Sequence, residues 1–447
     1  MLRKISKWLL ILLLVYIVIG ALAPYVRHVP TGDGARLPES AQGERVMWVE
    51  SNEDALLWRL RLIESAQEEL ILSTFDFRAD KAGGDVLSAL YNAAERGVKV
   101  RVLMDGMNGQ LHFKSTAEAR ALAAHENAEI KLYNPFNILK PWNFNPRLHD
   151  KYIMADGNAY ILGGRNVNDL FLGEMSPKSS IDRELLVWRE ARGGGTAEEI
   201  HEYFEEIWAL PCNESVKGKA APELLSARYE NLRADFPEAF ESVDLRACTM
   251  AAGGVTLIKG SPEPINKPPV VWKQLCAAME RGQNVIIQTP YIICSEEMYA
   301  DLAALTGERS IEIVTNAAEN GANPWGCAEL SSSMGKILDT GATLRTLSTG
   351  HSAHTKTLLI DDDISIVGSY NLDMRSTYLD TEMMLMVDCP ELNAQLRAEA
   401  MGGAARIYTP DGQVRETENR PEAVLSPALS LFYRALHIII YPLRFLL

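Results

Sequence analysis

Residues 147–166 read RLHDKYIMADGNAYILGGRN, and residues 352–371 read SAHTKTLLIDDDISIVGSYN. The two segments align without a gap. His149, Lys151, Asp156, Gly163 and Asn166 become His354, Lys356, Asp361, Gly368 and Asn371, and every pair stands 205 residues apart. A chain that carries one grammar twice at this separation folds as two related units, and 447 residues are comfortable for two domains. The repeat is one long duplication and not a short-period solenoid.

The surroundings of the two copies share an outline. LILSTFDF (70–77), VKVRVLMDG (98–106) and IKLYNPF (130–136) are apolar, β-favouring runs that read as strands. DVLSALYNAAERG (85–97) reads as an amphipathic helix stopped by Gly97. In the second half NVIIQTPYII (284–293) and SIEIVTNA (310–317) read as strands. ELSSSMGKILDTG (329–341) reads as a helix ended by Gly341, and ATLRTLST (342–349) leads into the second motif. This alternation predicts an α/β fold of two lobes, over 46–215 and 246–410. A linker is expected at 216–245, an N-terminal segment and connector at 1–45, and a C-terminal tail at 411–447.

On a strand, residues two apart share a face, so His149 and Lys151 point the same way, as do His354 and Lys356. Asp156-Gly157 is a turn signal, and Asp361 heads the matching Asp361-Asp362-Asp363. Asp156 and Asp361 are therefore expected to be structural. Gly163-Gly164 and Gly368-Ser369 are expected to let the backbone approach a ligand closely, with Asn166 and Asn371 just beyond. A His and a Lys on one face, beside small residues and an Asn amide, make an anion site. Two such sets facing each other supply one His to attack phosphorus and one to protonate a leaving alcohol. Two Lys and two Asn can then hold the phosphoryl oxygens, with no metal required.

An attacking His needs a carboxylate to fix its tautomer. SIDRELLV offers Asp182 and YLDTEMML offers Asp380, each followed two positions on by a Glu. The two Asp are expected in this role, with Glu184 and Glu382 as alternates. HFKSTAEA is an internal control: His112 and Lys114 have Ala119 where the Asp should stand, so this H-x-K reads as surface helix or loop. The six cysteines, at 212, 248, 276, 294, 327 and 389, are scattered without metal-ligand spacing and read as mostly buried free thiols.

The net charge of −15 disfavours nucleic acid as a partner, because an acidic chain repels polyanions. Both ends of the chain point instead to a membrane. After MLRKISK come 19 uncharged residues, Trp8–Val26, just long enough to span a bilayer. They suit an uncleaved anchor, or a signal peptide cut near Ala21-Leu22-Ala23. Either sends the rest of the chain across, since the cations before the run keep the N-terminus inside. The expected location is the cell membrane, with a single N-terminal anchor and the lobes on the extracytoplasmic side. SLFYRALHIIIYPLRFLL (430–447) suits a segment lying in the membrane interface, or a C-terminal helix docked on the core. NILKPWNFNP (137–146), with Trp142 and Phe144, suits a membrane contact or a packed loop.

On the doubled H-x-K-x4-D, followed by Gly-Gly or Gly-Ser and Asn, the chain resembles the phospholipase D superfamily over roughly residues 50–410. The resemblance implies the phospholipase D fold: two pseudo-two-fold-related lobes with the active site between them. It also implies a phosphohistidine intermediate, no cofactor, His149 as nucleophile and His354 as acid and base. VGSYNLDMRSTYLDTE (367–382) looks like the second-motif region of bacterial cardiolipin synthases, and LYNPF (132–136) and GGRN (163–166) are similar to their C-type subgroup. A single anchor departs from the two transmembrane helices of the main bacterial enzymes. The implied function is a membrane-anchored phosphatidyltransferase, most like a cardiolipin synthase. Its partner would be the phospholipid membrane, with phosphatidylglycerol and phosphatidylethanolamine as candidate substrates. The alternatives are a phospholipase D with water as acceptor, an exported nuclease of the same superfamily, and a catalytically dead scaffold.

Overall fold

Several strand segments are apolar at consecutive positions, a pattern that belongs to strands buried on both faces. The protein, as a computed structural model, is described over residues 2–22, 36–265, 267–419 and 425–447. The first half supplies β1 (Arg45–Val49), β2 (Glu69–Thr74), β3 (Lys99–Asp105), β4 (Ala128–Tyr133), β5 (Tyr152–Ala155), β6 (Ala159–Gly163), β7 (Glu184–Trp188), β8 (Glu214–Ser215) and β9 (Met250–Ala251). The second supplies β10 (Gly254–Lys259), β11 (Asn284–Gln288), β12 (Ile292–Ile293), β13 (Ser310–Asn316), β14 (Thr343–Leu347), β15 (Thr357–Ile360), β16 (Ile364–Gly368), β17 (Leu372–Asp373), β18 (Met383–Asp388), β19 (Ala405–Tyr408) and β20 (Val414–Glu416).

Among the described residues these strands make two nine-stranded sheets, and β12 and β17 pair separately. The first sheet runs β8-β4-β3-β2-β5-β6-β7-β1-β9, the second β10-β18-β16-β15-β11-β13-β14-β19-β20. Reversing the second lays β14-β13-β11-β15-β16-β18-β10 on β4-β3-β2-β5-β6-β7-β1, so the duplication extends through seven strands. In both lobes the first three are parallel and the motif strands, β5 and β15, join them antiparallel.

Alternation along the strands divides the core. Leu70 and Leu72 face the first lobe's helices, and Ile71 faces the other sheet. Val285 and Ile287 face the second lobe's helices, and Ile286 faces back. The sheets therefore meet over one shared apolar layer, which also takes Tyr203 and Phe204 from helix Gly195–Trp208 and Leu392 and Leu396 from helix Pro390–Ala400. Helix starts follow capping chemistry: Ser51 and Asp54 form a capping box, and Asp80, Ser295 and Asn323 cap theirs. Gly97 and Gly341, the expected stops, have φ of 93° and 89°.

The segment expected as a linker, 216–245, is packed structure. Helix Pro222–Asp235 sinks Leu225, Tyr229 and Leu232 into the first lobe's outer core beside helix Lys81–Glu95. Those three positions have helical spacing, which the polar composition of the segment masked. The sheets also overrun the expected bounds, since β9 belongs to the first and β20 to the second. All six cysteines are unpaired, four of them buried.

At the N-terminus, helix Leu2–Leu22 exposes its apolar side chains from Trp8 to Ile19. The rest of the uncharged run, Ala23–Val26, and connector residues 30–35 lie outside the described residues. The apolar stretch Lys7–Leu22 is shorter than a full span, whereas Pro427–Leu446 is long and apolar enough to cross a membrane by length and composition. One side of that C-terminal segment is docked: Tyr433 and Ile440 pack with Cys327 and Ala328, and Arg444 Nη2 lies 2.6 Å from Glu329 Oε1. Its other side leaves Leu431, Phe432, Ile438 and Ile439 exposed.

Asp156 and Asp361 clamp the turns after the motif strands. Both adopt positive φ, 50° and 44°. The Asp156 carboxylate accepts the backbone N–H groups of Gln67, Glu68 and Glu69, and that of Asp361 accepts those of Gln283 and Asn284. These bonds hold Asp361 below the usual carboxylate range, the Asn284 N–H contributing most. Asp156→Ala is expected to cost about 2 kcal/mol, from lost charge-assisted bonds and a strained backbone, with Asp156→Asn falling between it and wild type. Urea unfolding of the three proteins checks this.

Candidate active site

His149 and His354 each precede a motif strand, in extended segments that cross to the opposite lobe. Leu148 forms a parallel bridge with Thr381, and Ala353 forms one with Ile181. The His149 N–H donates to Thr381 Oγ1 at 3.0 Å, and the His354 N–H to the Ile181 carbonyl at 2.6 Å. Each histidine is thus zipped to the segment that carries the other lobe's carboxylate. Glu382 Oε1 lies 2.8 Å from His149 Nδ1, and Asp182 Oδ2 lies 2.6 Å from His354 Nδ1. A carboxylate at Nδ1 fixes the proton there and leaves the Nε2 lone pair for chemistry. Phe75 and Phe171 stand edge-on to the two imidazoles, with ring centroids 5.1 and 5.0 Å away.

The expectation for His354 matches this geometry, and the one for His149 does not. Asp380 is held by Arg375, whose Nη2 lies 2.9 Å from Oδ1, and by the Arg147 N–H. The reason is register. Gly163 pairs with Glu184 in the first sheet, but Gly368 pairs with Met384 in the second. Asp182 therefore corresponds to Glu382, and aligning the two D-x-E patterns slides the copies by two residues. Glu184 is no alternate either: it is buried and paired with Arg59 and Arg165.

Gly163 and Gly368 also have a different reason from the one expected. A Cβ on Gly163 would stand 2.3 Å from the Arg183 carbonyl oxygen, and one on Gly368 2.1 Å from that of Met383. They let neighbouring strands approach, not a ligand. The next residues serve the carboxylates. Gly164 leaves room for Asp182, whose Oδ1 a Cβ would meet at 2.3 Å, and Ser369 donates its hydroxyl to Glu382.

Both histidines, Asn166 and Asn371 line one cleft of about 400 Å³. Asn166 Oδ1 accepts the Asp76 N–H at 3.2 Å, which leaves its NH2 as a donor for an anion. Asn371 Nδ2 lies 3.1 Å from Tyr291 Oη. Lys151 and Lys356 are buried beside the histidines and do not line the cleft. Lys151 Nζ donates to the His149 carbonyl and faces the Phe75 ring, and Lys356 Nζ lies over the His354 imidazole, 2.7 Å from Nδ1 and 3.1 Å from Nε2. Tyr291 and the two phenylalanines, which enter the site from loops, and Asp373 and Arg375, which enter from β17 and the short helix Met374–Tyr378, escape a reading by motif alone. Among the described residues no group of three or more His, Cys, Asp or Glu is placed to hold a metal ion.

Burial and the lysines push both histidines down, His149 well below its usual value and His354 to about 4. Burial also lowers Lys151 to about 8 and Lys356 to about 7. The carboxylates diverge. Burial raises Glu382 to about 7, against Lys151 and Ser369. At Asp182 burial works upward too, but Lys356 and His354 outweigh it and hold the carboxyl down to about 2. One histidine thus has a firmly ionised partner, and the other a carboxyl that gains a proton near neutrality.

Two pseudo-symmetric α/β lobes that bring paired His–Lys motifs to a single cleft define a phospholipase D-type enzyme. Residues 60–208 and 275–401 match the family profile described as "Cardiolipin synthase, PLD-like domain", and the chain belongs to that family. Relatives include cardiolipin synthase C of Escherichia coli, 25% identical over 397 residues, covering 78% of this chain and 82% of that protein. Cardiolipin synthase 1 of Bacillus cereus is 25% identical over 342 residues, covering 73% of this chain and 59% of that one. An uncharacterized protein of Helicobacter pylori is 25% identical over 426 residues, covering 84% and 82%. Among solved structures, phosphatidylserine synthase of Haemophilus influenzae shares the fold, with a TM-score of 0.65, 16% identity and coverage of 90% of this chain and 95% of that one.

Two outcomes follow from the geometry. Glu382→Gln should move the ¹⁵N signals of the His149 ring, and Asp380→Asn should leave them in place; the reverse would return the orienting role to Asp380. With pKa values depressed, neither imidazole of the free enzyme should gain a proton as pH falls from 8 to 5.5. Histidine ¹⁵N spectra would show this as neutral-ring shifts throughout, and a midpoint near 6.5 for either residue would contradict it.

Proposed function

We propose that the protein is a membrane-anchored phosphatidyltransferase that makes cardiolipin from phosphatidylglycerol, with phosphatidylethanolamine as a second candidate lipid substrate. The observation that carries this is the crossed pair of imidazole–carboxylate contacts on one cleft. It equips two Nε2 atoms for the two halves of a displacement at phosphorus. The unequal carboxylates favour different roles. Asp182, ionised, stabilises a His354 imidazolium and suits it to proton transfer. Glu382, whose carboxyl gains a proton near neutrality, stabilises positive charge less and leaves His149 neutral, as a nucleophile must be. His354 is depressed in the free enzyme, and the phosphodiester anion raises it when bound.

In the first step His149 Nε2 bonds to phosphorus, the bond to the headgroup oxygen breaks, and His354 gives that oxygen its proton. In the second, His354 takes the proton from a hydroxyl of phosphatidylglycerol. That oxygen attacks phosphorus, and the bond to His149 breaks. Lys151 and Lys356 supply positive potential beside the rings, and Asn166 and Asn371 supply amides to the phosphoryl oxygens. The N-terminal helix carries the exposed apolar stretch Lys7–Leu22 behind the cations Arg3 and Lys4, and a charge distribution of this kind favours a single anchor with the lobes outside the cytoplasm. Water in place of the lipid hydroxyl would give phosphatidic acid from the same residues.

The test is mass spectrometry of lipids after incubation of the full-length protein with vesicles of phosphatidylglycerol and phosphatidylethanolamine. Cardiolipin is expected from the wild type and none from His149→Ala, while His354→Ala should lower the yield about 100-fold or more by removing proton transfer from both steps. Phosphatidic acid alone would make the enzyme a hydrolase. No lipid product would sink the lipid reading.

A further inference from the structure

The chain carries 59 Asp and Glu and a net charge of −15, yet its two terminal segments, 1–22 and 425–447, and the loop 134–147 hold no acid. They are far apart in sequence, and the fold brings them together. Tyr16 Oη donates to the Leu139 carbonyl at 2.9 Å, Asn145 Nδ2 donates to the Ala21 carbonyl at 3.1 Å, and Gly20 abuts Pro141. The Arg375 guanidinium joins the second segment to the third: Nη2 donates to the Asn145 carbonyl at 2.6 Å and Nη1 to the Leu446 carbonyl at 2.9 Å. Arg375 is itself part of the cleft wall and holds Asp380.

Each segment also presents apolar side chains to the outside. The N-terminal helix does so from Trp8 to Ile19, the middle loop at Leu139 and Trp142, and the C-terminal helix at Leu431, Phe432, Ile438 and Ile439. Leu139, Leu431 and Ile438 are 71%, 70% and 74% exposed, far more than side chains of this kind tolerate in water when clustered. Lys140 and Arg434 add cationic charge to this acid-free region.

We propose that the three segments form one membrane-docking face beside the active-site cleft, and that its occupant is the surface of an anionic bilayer. The C-terminal segment lies in the interface and does not cross it. Its inner side is committed to protein by Tyr433, Ile440 and the buried Arg444–Glu329 pair, which a spanning helix would have to abandon. Its outer stripe at 431, 435, 438, 439 and 442 is the width a helix lays into the headgroup boundary. Glu329 sits on helix Pro324–Asp339, whose Gly326, Cys327 and Leu330 line the cleft, so the docked segment and the cleft wall share a foundation. This placement rests on the lipid-substrate reading above: it lets a lipid headgroup enter the cleft from the bilayer without crossing water.

The full-length protein in phosphatidylglycerol vesicles carrying a photoreactive acyl chain provides the test, with labelled residues mapped by mass spectrometry. Labels are expected on 8–19, on Leu139 or Trp142, and on Leu431, Phe432, Ile438 or Ile439, with none on Tyr433 and Ile440. Labels on 8–19 alone would overturn the docking face, and labels on Tyr433 and Ile440 would overturn the interfacial placement. In addition, Ile438→Glu/Ile439→Glu should lower turnover of vesicle lipid about tenfold or more. It should leave turnover of a dissolved short-chain phosphatidylglycerol unchanged. Wild-type rates on both substrates would overturn the proposal. If the wild type turns over neither lipid, the substrate reading fails, and the labelling pattern still judges the face.

Discussion

Each motif imidazole, His149 and His354, takes its carboxylate from the other lobe. The contacts from Glu382 to His149 and from Asp182 to His354 exist because two short parallel bridges, Leu148 with Thr381 and Ala353 with Ile181, stitch the segment before each motif strand to its counterpart. Everything else in the architecture serves that crossing. The sheets must lie face to face, so their strands are apolar on both sides. The strand after each motif must approach its neighbour closely, so Gly163 and Gly368 have no side chain. The turn between them must close tightly, so Asp156 and Asp361 adopt positive φ and satisfy the backbone beneath them.

Burial then sets the chemistry. Two lysines, two histidines and several carboxylates share a poorly solvated space, and each pays for desolvation with a shifted protonation equilibrium. The shifts are asymmetric although the motifs are not. Lys356 and His354 hold Asp182 firmly ionised, whereas Glu382, one methylene longer and bonded to Ser369, sits close to its titration midpoint at neutral pH. Near-identical repeats thereby give their two histidines carboxylates of different acid strength.

Much of this was legible in the sequence, because the duplicated motif fixes residue types at fixed spacing. The α/β class and the two lobes could be read from periodicity and spacing, and a site between the lobes that gathers His149, His354, Asn166 and Asn371 was implied by the resemblance to the phospholipase D superfamily. The His149 partner could not. The connection from Asn371 to its carboxylate is five residues shorter than that from Asn166, so the correspondence 182-to-382 is visible only once strands β6 and β16 are paired with their neighbours. Tyr291 and the edge-on phenylalanines come from loops, and Arg375 from the five-residue helix Met374–Tyr378, all too short to show periodicity. Helix Pro222–Asp235 was hidden for the opposite reason: three apolar positions at helical spacing were outweighed by the polar residues around them.

The crossing also carries a statement about how such a protein can be divided. Divided between the lobes, the chain would yield two pieces, each holding one histidine and the carboxylate that belongs to the other. Neither piece is half an enzyme in the sense of half the rate, since each histidine would lose its orienting partner outright. The smallest complete unit is a pair of lobes, whether joined in one polypeptide or associated across a two-fold axis. In that sense the connecting chain fixes the stoichiometry of two complementary halves, and it leaves each copy free to change its carboxylate only in concert with a histidine it does not itself contain.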